Sequence, residues 1–199
     1  MNSSIARLGI ILLLGAIAAG CGTTPRSNHY LLTSRLEGVP SGTSPVLGVG
    51  PVLIPEYLNR DTLVYRKSSN QLHVNGAERW AEPMQDGISR VIALNLAARL
   101  DTNEVQSFPF HAERRPDWGV KLRVLRLDAE DNRARLITEW LIYKPHSGAA
   151  LQRRLSSLEL QLDPQQPLPA QLPPAYSELL WRLSGEIASE LLKQPPTSG

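Results

Sequence analysis

The sequence predicts a single α+β domain in which two long helices pack on one face of a mostly antiparallel β-sheet. Segments 82–100 and 176–191 carry apolar residues at helical spacing, whereas several shorter segments alternate apolar and polar side chains as half-buried strands do. The chain of 199 residues is long enough for one sizeable core, and its 42% hydrophobic and 20% charged residues are typical of a globular protein.

The first 20 residues have the pattern of an export signal. Arg7 supplies one positive charge ahead of the apolar run Leu8–Ala19, which is 12 residues long. A stable membrane-spanning helix needs roughly 20 apolar residues, so this run is too short to be one. A charged start, a short apolar run and small residues at its end predict a signal peptide over residues 1–20.

Cys21 is the only cysteine of the chain, so it cannot form an intrachain disulfide. The sequence AAGC at 18–21 resembles the lipobox of bacterial lipoproteins. Cleavage before the cysteine would leave its thiol carrying a lipid anchor, in which each buried methylene contributes about 0.8 kcal/mol. Gly22 stands where an aspartate would signal retention in the inner membrane, which favours the outer membrane. The alternative is a secreted protein that is cleaved elsewhere and whose cysteine has no role.

The mature chain is predicted to hold a tether, one domain and a short tail. Residues 21–28 are the lipidated N-terminus and a polar tether, 29–193 form the domain, and 194–199 are a disordered tail. Alternation and turn residues predict strands in the domain at 29–34, 46–54, 62–67, 71–74, 118–127, 133–143 and 151–160. The third and fourth form a hairpin, and the last three form an antiparallel meander whose first turn is the acidic segment 128–132.

Pro83 fits the first turn of the first helix. The apolar stripes of the two helices are Ile88, Val91, Ile92, Leu96 and Leu100 in the first, and Tyr176, Leu180, Leu183, Ile187 and Leu191 in the second. Segment 163–174 precedes the second helix and contains five prolines. Because proline interrupts helices and sheets, this segment is predicted to be an extended crossover.

Catalytic and metal-binding patterns are absent from the sequence. The four histidines are scattered without ligand spacing, and no nucleophile–base motif or phosphate-binding loop occurs. We therefore expect no enzymatic activity and no cofactor or metal. The net charge of +2 does not indicate nucleic-acid binding. Residues 111–154 do hold ten Lys/Arg against six Asp/Glu, which indicates either a docking surface for anionic lipid or an acidic partner, or a solvated sheet face.

Two stretches resemble a known family. They are GVGPVLIPEYLNRDTLVYR at 48–66 and ERWAEPMQDGISRVIALNLAARL at 78–100, and they are similar to PqiC-type lipoproteins, the ABC-type transport auxiliary lipoprotein component family. The residues that carry the resemblance, and that are candidates for interaction, are Pro51, Pro55, Tyr57, Leu58, Arg60, Arg79, Trp80, Glu82 and Pro83.

The resemblance implies a non-enzymatic accessory subunit on the periplasmic side of the outer membrane. Its expected partners are an MCE-domain tunnel protein and the inner-membrane permease component of that system, which carries phospholipid between membranes and supports membrane integrity. A homo-oligomer is a further expectation. The alternative function is a structural or assembly-assisting envelope lipoprotein with no link to lipid transport.

Segment 55–60 has two interpretations. It is either a loop that presents Tyr57 and Arg60 to a partner, because aromatic and arginine side chains dominate binding hot spots, or a cap on the sheet. In the second case Tyr57 and Leu58 cap the sheet while Arg60 pairs with Glu56 or Asp61.

Trp80 also has two interpretations. It either belongs to a partner-binding edge or fills the space that Gly48 and Gly50 leave on one face of their strand, and the sequence favours packing.

Overall fold

The computed structural model describes residues 26–111 and 113–194. The predicted signal peptide, Cys21, residues 22–25 of the tether and residues 195–199 of the tail lie outside the described residues. The strands are β1 Asn28–Tyr30, β2 Leu47–Leu53, β3 Thr62–Ser68, β4 Gln71–Trp80, β5 Val105–Ser107, β6 Trp118–Glu130, β7 Arg133–Tyr143 and β8 Ala150–Gln161. The helices are α1 Met84–Leu100 and α2 Leu168–Leu191, and a short 3-10 helix covers Glu56–Leu58.

The strands form two sheets. The larger has the order β5-β2-β6-β7-β8, in which β2 runs parallel to both neighbours while β6, β7 and β8 form the predicted antiparallel meander. The smaller has the order β1-β4-β3, in which β3 and β4 are the predicted hairpin and β1 runs parallel to β4. The α+β class is confirmed, and the parallel pairings of β1, β2 and β5 add a mixed character to both sheets.

Both long helices pack on one face of the five-stranded sheet, as predicted. Helix α1 lies over β2 and β5, α2 lies over β7 and β8, and the helices contact each other. The predicted stripes are buried in the core: Ile88, Val91, Ile92 and Leu96 of α1, and Tyr176, Leu180, Leu183, Ile187 and Leu191 of α2. Leu136, Trp140 and Ile142 of β7 pack against these stripes from the sheet.

The paired glycines of β2 do make room for aromatic rings, but not for Trp80. A Cβ atom on Gly48 would lie 2.5 Å from the Phe110 ring, and one on Gly50 would lie 2.6 Å from the Cβ of Phe108. Gly50 also has a φ of +118°, which disfavours other residues. The prediction that Trp80 packs over these glycines is therefore wrong. Because β5 pairs with β2, segment 108–110, which follows β5, lies there instead.

The predicted extended crossover over 163–174 is wrong, because α2 begins at Leu168. Pro169 lies in the first turn, where backbone N–H groups have no acceptor within the helix, so its missing N–H costs little. Pro173 and Pro174 lie one turn later, inside the helix. Ser177 supports that turn with one bond inside the helix and one tertiary bond. Its Oγ donates to the Pro173 carbonyl at 2.8 Å and accepts from the Thr33 N–H at 3.0 Å.

The acidic turn predicted at 128–132 is shorter than expected. Only Asp131 and Asn132 form the turn, with φ of 50° and 57°, the left-handed conformation of a tight hairpin. Asp128 instead lies in β6 with no solvent exposure. Its carboxylate accepts hydrogen bonds from the Nε of Arg66 and the Nε of Arg126, both at 2.7 Å. Because Arg66 belongs to β3, this carboxylate joins the two sheets.

Replacing Asp128 with alanine should destabilise the domain by about 3–5 kcal/mol, because two guanidinium groups would lose their buried partner. The side chains of Arg66 and Arg126 are only 21% and 20% exposed. Urea unfolding measures this. The control is Glu159→Ala, which removes an exposed pair with Arg135 and should change stability by about 0–1 kcal/mol. Equal losses in both variants would contradict the structural role of Asp128.

Candidate functional site

Residues from the two family-like stretches meet at one surface cleft of about 320 Å³. We call it the signature cleft, and it is lined by Asn59, Arg60, Asp61, Trp80, Ala81, Glu82, Pro83 and Met84. Register creates it, because Thr62 at the start of β3 is paired with Arg79 near the end of β4. The Trp80 N–H donates to the Asp61 carbonyl at 2.6 Å, which brings the turn after the 3-10 helix against the entry to α1.

The rim of the signature cleft carries two ion pairs and one arginine, Arg60, that belongs to neither of them. Asp61 pairs with Arg79, and Glu82 pairs with Arg90, which also donates to the Leu32 carbonyl at 2.9 Å. Arg60 is exposed and makes no ion pair with any residue of 26–111 or 113–194. The pairing of Arg60 with Glu56 or Asp61 that the sequence left open is thus not formed. The rim therefore offers one uncommitted guanidinium to a partner.

One aromatic residue, Trp80, lines the floor of the signature cleft. Trp80 is 7% exposed and stacks on Tyr176 of α2, with ring centroids 6.2 Å apart and an interplanar angle of 25°. Complete burial raises the pKa of Tyr176 well above its usual value of 10, and its hydroxyl has no hydrogen-bond partner in the described part of the chain. Trp80 therefore packs as the sequence favoured, against α2, while its edge borders the cleft.

Tyr57 and Leu58 face the interior and support the cleft from behind. The Tyr57 hydroxyl accepts a hydrogen bond from the Leu127 N–H at 3.1 Å, and burial raises the pKa of this phenol. Leu58 is 4% exposed. Of the two residues expected on a presented loop, only Arg60 is at the surface.

The three signature prolines shape the backbone around these side chains. Pro51 lies where the register of β2 against β6 shifts, and Pro55 precedes the 3-10 helix, where its carbonyl accepts the Leu58 N–H at 2.9 Å. Pro83 precedes α1, and its carbonyl accepts the Gly87 N–H at 3.0 Å. They therefore set where the strand, the 3-10 helix and α1 begin or bend.

A second concavity, of about 460 Å³, runs along α1 and is not predicted by the sequence. We call it the α1 groove. Its apolar lining includes Leu36, Val39, Ala93, Leu94, Ala97 and Phe108. The signal for it was the series Ser89, Ala93 and Ala97, in which small residues recur every fourth position on the outward side of the helix. Small side chains leave a groove wherever a loop or strand lies against the helix, but the sequence does not reveal that segment 36–40 and β5 do so.

Residues 26–111 and 113–194 contain no group of three or more His, Cys, Asp or Glu side chains able to hold a metal ion. No helix within those ranges has the length and apolar character to cross a membrane. His73 packs against Tyr65, with ring centroids 4.8 Å apart and ring planes tilted by 40°.

Comparison with known proteins gives a family and a fold. Residues 30–188 match the family described as ABC-type transport auxiliary lipoprotein component. A crystal structure of an uncharacterized protein is 22% identical, with a TM-score of 0.68 over 83% of this chain and 99% of that one. A protein of Xanthomonas campestris is 15% identical, with a TM-score of 0.63 over 84% of this chain and all of that one. These two show a shared fold. No curated protein matches the chain.

Tyr57 and Arg60 should differ sharply in their contribution to stability. Tyr57→Phe removes the acceptor of the Leu127 N–H and should lower the free energy of unfolding by about 1–3 kcal/mol, because that N–H is left without a partner. Arg60→Ala, at an exposed position, should change it by less than about 0.5 kcal/mol. Thermal and urea unfolding measure both. A large loss for Arg60→Ala would argue that this residue holds the fold.

Proposed function

The chain belongs to the ABC-type transport auxiliary lipoprotein component family, and we propose that it is an outer-membrane lipoprotein of an MCE-type inter-membrane phospholipid transport system. In this proposal it is a non-enzymatic accessory subunit that faces the periplasm. The family match over residues 30–188, which spans both sheets and nearly all of both helices, is the observation that carries the proposal.

The proposed anchor is a lipid on Cys21. Asn28, the first residue of β1, is the seventh residue after Cys21, and an extended chain of seven residues reaches at most about 25 Å. The domain would therefore remain near the membrane surface to which the lipid is attached. Such tethering raises the concentration of the domain at a junction between the membrane and a conduit without any additional contact.

The proposed docking site for the MCE-domain protein is the signature cleft. Arg60 supplies an exposed guanidinium that makes no ion pair within the described ranges, and Trp80 supplies an aromatic edge on a rigid floor. Arginine and tryptophan are enriched among the residues that dominate binding energy. Arg90 lines the α1 groove, and its ion-pair partner Glu82 lines the cleft, so a partner segment lying in one could extend to the other.

The anchor is tested by two neighbouring substitutions. Cys21→Ser should abolish labelling with a fatty-acid analogue and release the protein from the outer-membrane fraction, because it removes the only thiol. Gly22→Asp should keep the label but move the protein to the inner-membrane fraction, because an aspartate after the lipidated cysteine signals retention there. Unchanged labelling of Cys21→Ser would end the lipoprotein proposal, and unchanged sorting of Gly22→Asp would remove the argument for the outer membrane.

The docking site is tested by reversing one charge. Arg60→Glu should leave lipidation and melting temperature unchanged but lower recovery of the MCE-domain partner by on the order of tenfold or more, as expected for a hot-spot arginine. Lys67→Glu, at an exposed position of β3, is the matched control and should co-purify normally. If wild-type protein brings down no MCE-domain partner, the structural or assembly-assisting function is favoured. If Arg60→Glu recovers the partner as well as wild-type protein and Lys67→Glu do, the docking surface lies elsewhere.

A further inference from the structure

The face of the five-stranded sheet that the helices leave free carries two rows of aligned side chains. Residues that are directly paired on neighbouring strands project from the same face of a sheet. The first row contains Leu53, Arg123, Glu139 and Leu155, and the second contains Lys121, Leu141 and Arg153. We call these seven residues the sheet patch. With neighbouring strands about 4.8 Å apart, the first row spans roughly 14 Å across β2, β6, β7 and β8.

One end of this face is covered, but the sheet patch is not. At the covered end Phe110 packs over Gly48, whereas at the other end the ion pair of Arg135 with Glu159 is itself partly exposed. Leu53, the last residue of β2, and Leu155, on the edge strand β8, lie at the two ends of the first row and are 52% and 62% exposed. The structure therefore leaves two leucines open to solvent on either side of the charged residues of this row.

The sheet patch is also basic. It holds three cations, Lys121, Arg123 and Arg153, against one acid, Glu139. None of the three cations belongs to an ion pair with another residue described by the structure, whereas Arg126, Arg135 and Arg154 of the same strands all do. Lys121 lies with its Nζ 4.3 Å from the centre of the Tyr143 ring, which holds that side chain against the sheet.

We propose that the sheet patch docks onto the surface of an anionic phospholipid bilayer. Exposed leucines that flank cations without ion pairs fit a surface of phosphate groups above acyl chains, because the cations meet anionic headgroups while the leucines enter the boundary beneath them. The inference rests on the proposed lipid anchor, which brings the domain to a bilayer. The sheet patch would then fix the orientation of the anchored domain.

A second copy of the chain fits the sheet patch less well. Two copies meeting face to face would bring three cations against three, and like charges across an interface are unfavourable. Seven residues also form a smaller surface than the 20–30 residues per partner of typical stable interfaces. Both arguments favour a lipid surface as the occupant.

The test uses the lipidated full chain reconstituted into vesicles. Leu155→Cys introduces one free thiol, because Cys21 carries the lipid, and this thiol accepts a fluorophore that nitroxide-labelled lipids quench. Quenching should be strong in vesicles that contain phosphatidylglycerol and weak in vesicles of phosphatidylcholine alone. Val39→Cys is the matched control, because this apolar residue is 88% exposed but borders the groove on the helix side. Its fluorophore should not be quenched in either vesicle.

Charge reversal then tests the mechanism. In the Leu155→Cys background, Arg123→Glu and Arg153→Glu should each lower the docked population by on the order of fivefold, the contribution of one cation at an anionic surface. Arg182→Glu, at an exposed arginine of α2, should leave quenching unchanged.

Three results would overturn the proposal. They are quenching of Leu155→Cys that is equal in neutral and anionic vesicles, quenching that is insensitive to Arg123→Glu and Arg153→Glu, and absence of quenching in protein that floats with anionic vesicles. Self-quenching between fluorophores at Leu155→Cys would identify a second copy as the occupant and would also overturn it. Protein that does not float with any vesicle would instead show that the anchor, and with it the proposed function, has failed.

Discussion

The buried carboxylate of Asp128 determines how the two sheets of this domain sit on one another. It accepts one hydrogen bond from Arg66 of the small sheet and one from Arg126 of its own strand, with no exposure to solvent. A buried ion pair is weak evidence of net stabilisation, because desolvation opposes the attraction, but displacing one partner leaves charge uncompensated. The β3–β4 hairpin is therefore held in one position. Tyr57 bonds to Leu127, the neighbour of Asp128, and holds the 3-10 helix at the same place.

Placement of the hairpin has a direct consequence for the signature cleft. The cleft has no continuous segment of its own, since one wall follows the 3-10 helix and the other joins β4 to α1. Its shape depends on the register that sets Thr62 opposite Arg79 and on the stack of Trp80 over Tyr176 of α2. Residues of the interior thus position a surface whose exposed members, such as Arg60, contribute little to the fold.

Sequence patterns predicted the elements whose residues repeat and missed those defined by distant contacts. Both helical stripes, the hairpin and the meander are predicted because burial on one side imposes a period. The start of α2 was missed because Pro173 and Pro174 normally end helices, and only contacts such as Ser177 with Thr33 show why they do not here. The sequence places Asp128 in the turn because aspartate and asparagine are common in turns and Asp131 and Asn132 follow it closely.

The candidate site was predictable in part. The resemblance identified residues on both walls of the signature cleft, but it did not separate Arg60, which is exposed, from Tyr57 and Leu58, which are interior. That separation depends on tertiary packing of the 3-10 helix. The α1 groove and the sheet patch depend on which face of an element remains uncovered, and the amphipathic pattern of one segment does not specify this.

The first strand of the fold brings the end of the tether close to the signature cleft. Strand β1 runs parallel to β4, with Tyr30 opposite Trp80, and the Ala81 N–H donates to the Tyr30 carbonyl at 2.8 Å. The tether therefore ends beside a wall of the cleft rather than at a remote point of the domain. If Cys21 carries a lipid, the reach of about 25 Å that a seven-residue tether allows is also close to the greatest distance between the membrane and this wall of the cleft. A partner that docks there would come within roughly that distance of the anchoring membrane, which fits the proposed delivery of lipid to the same membrane.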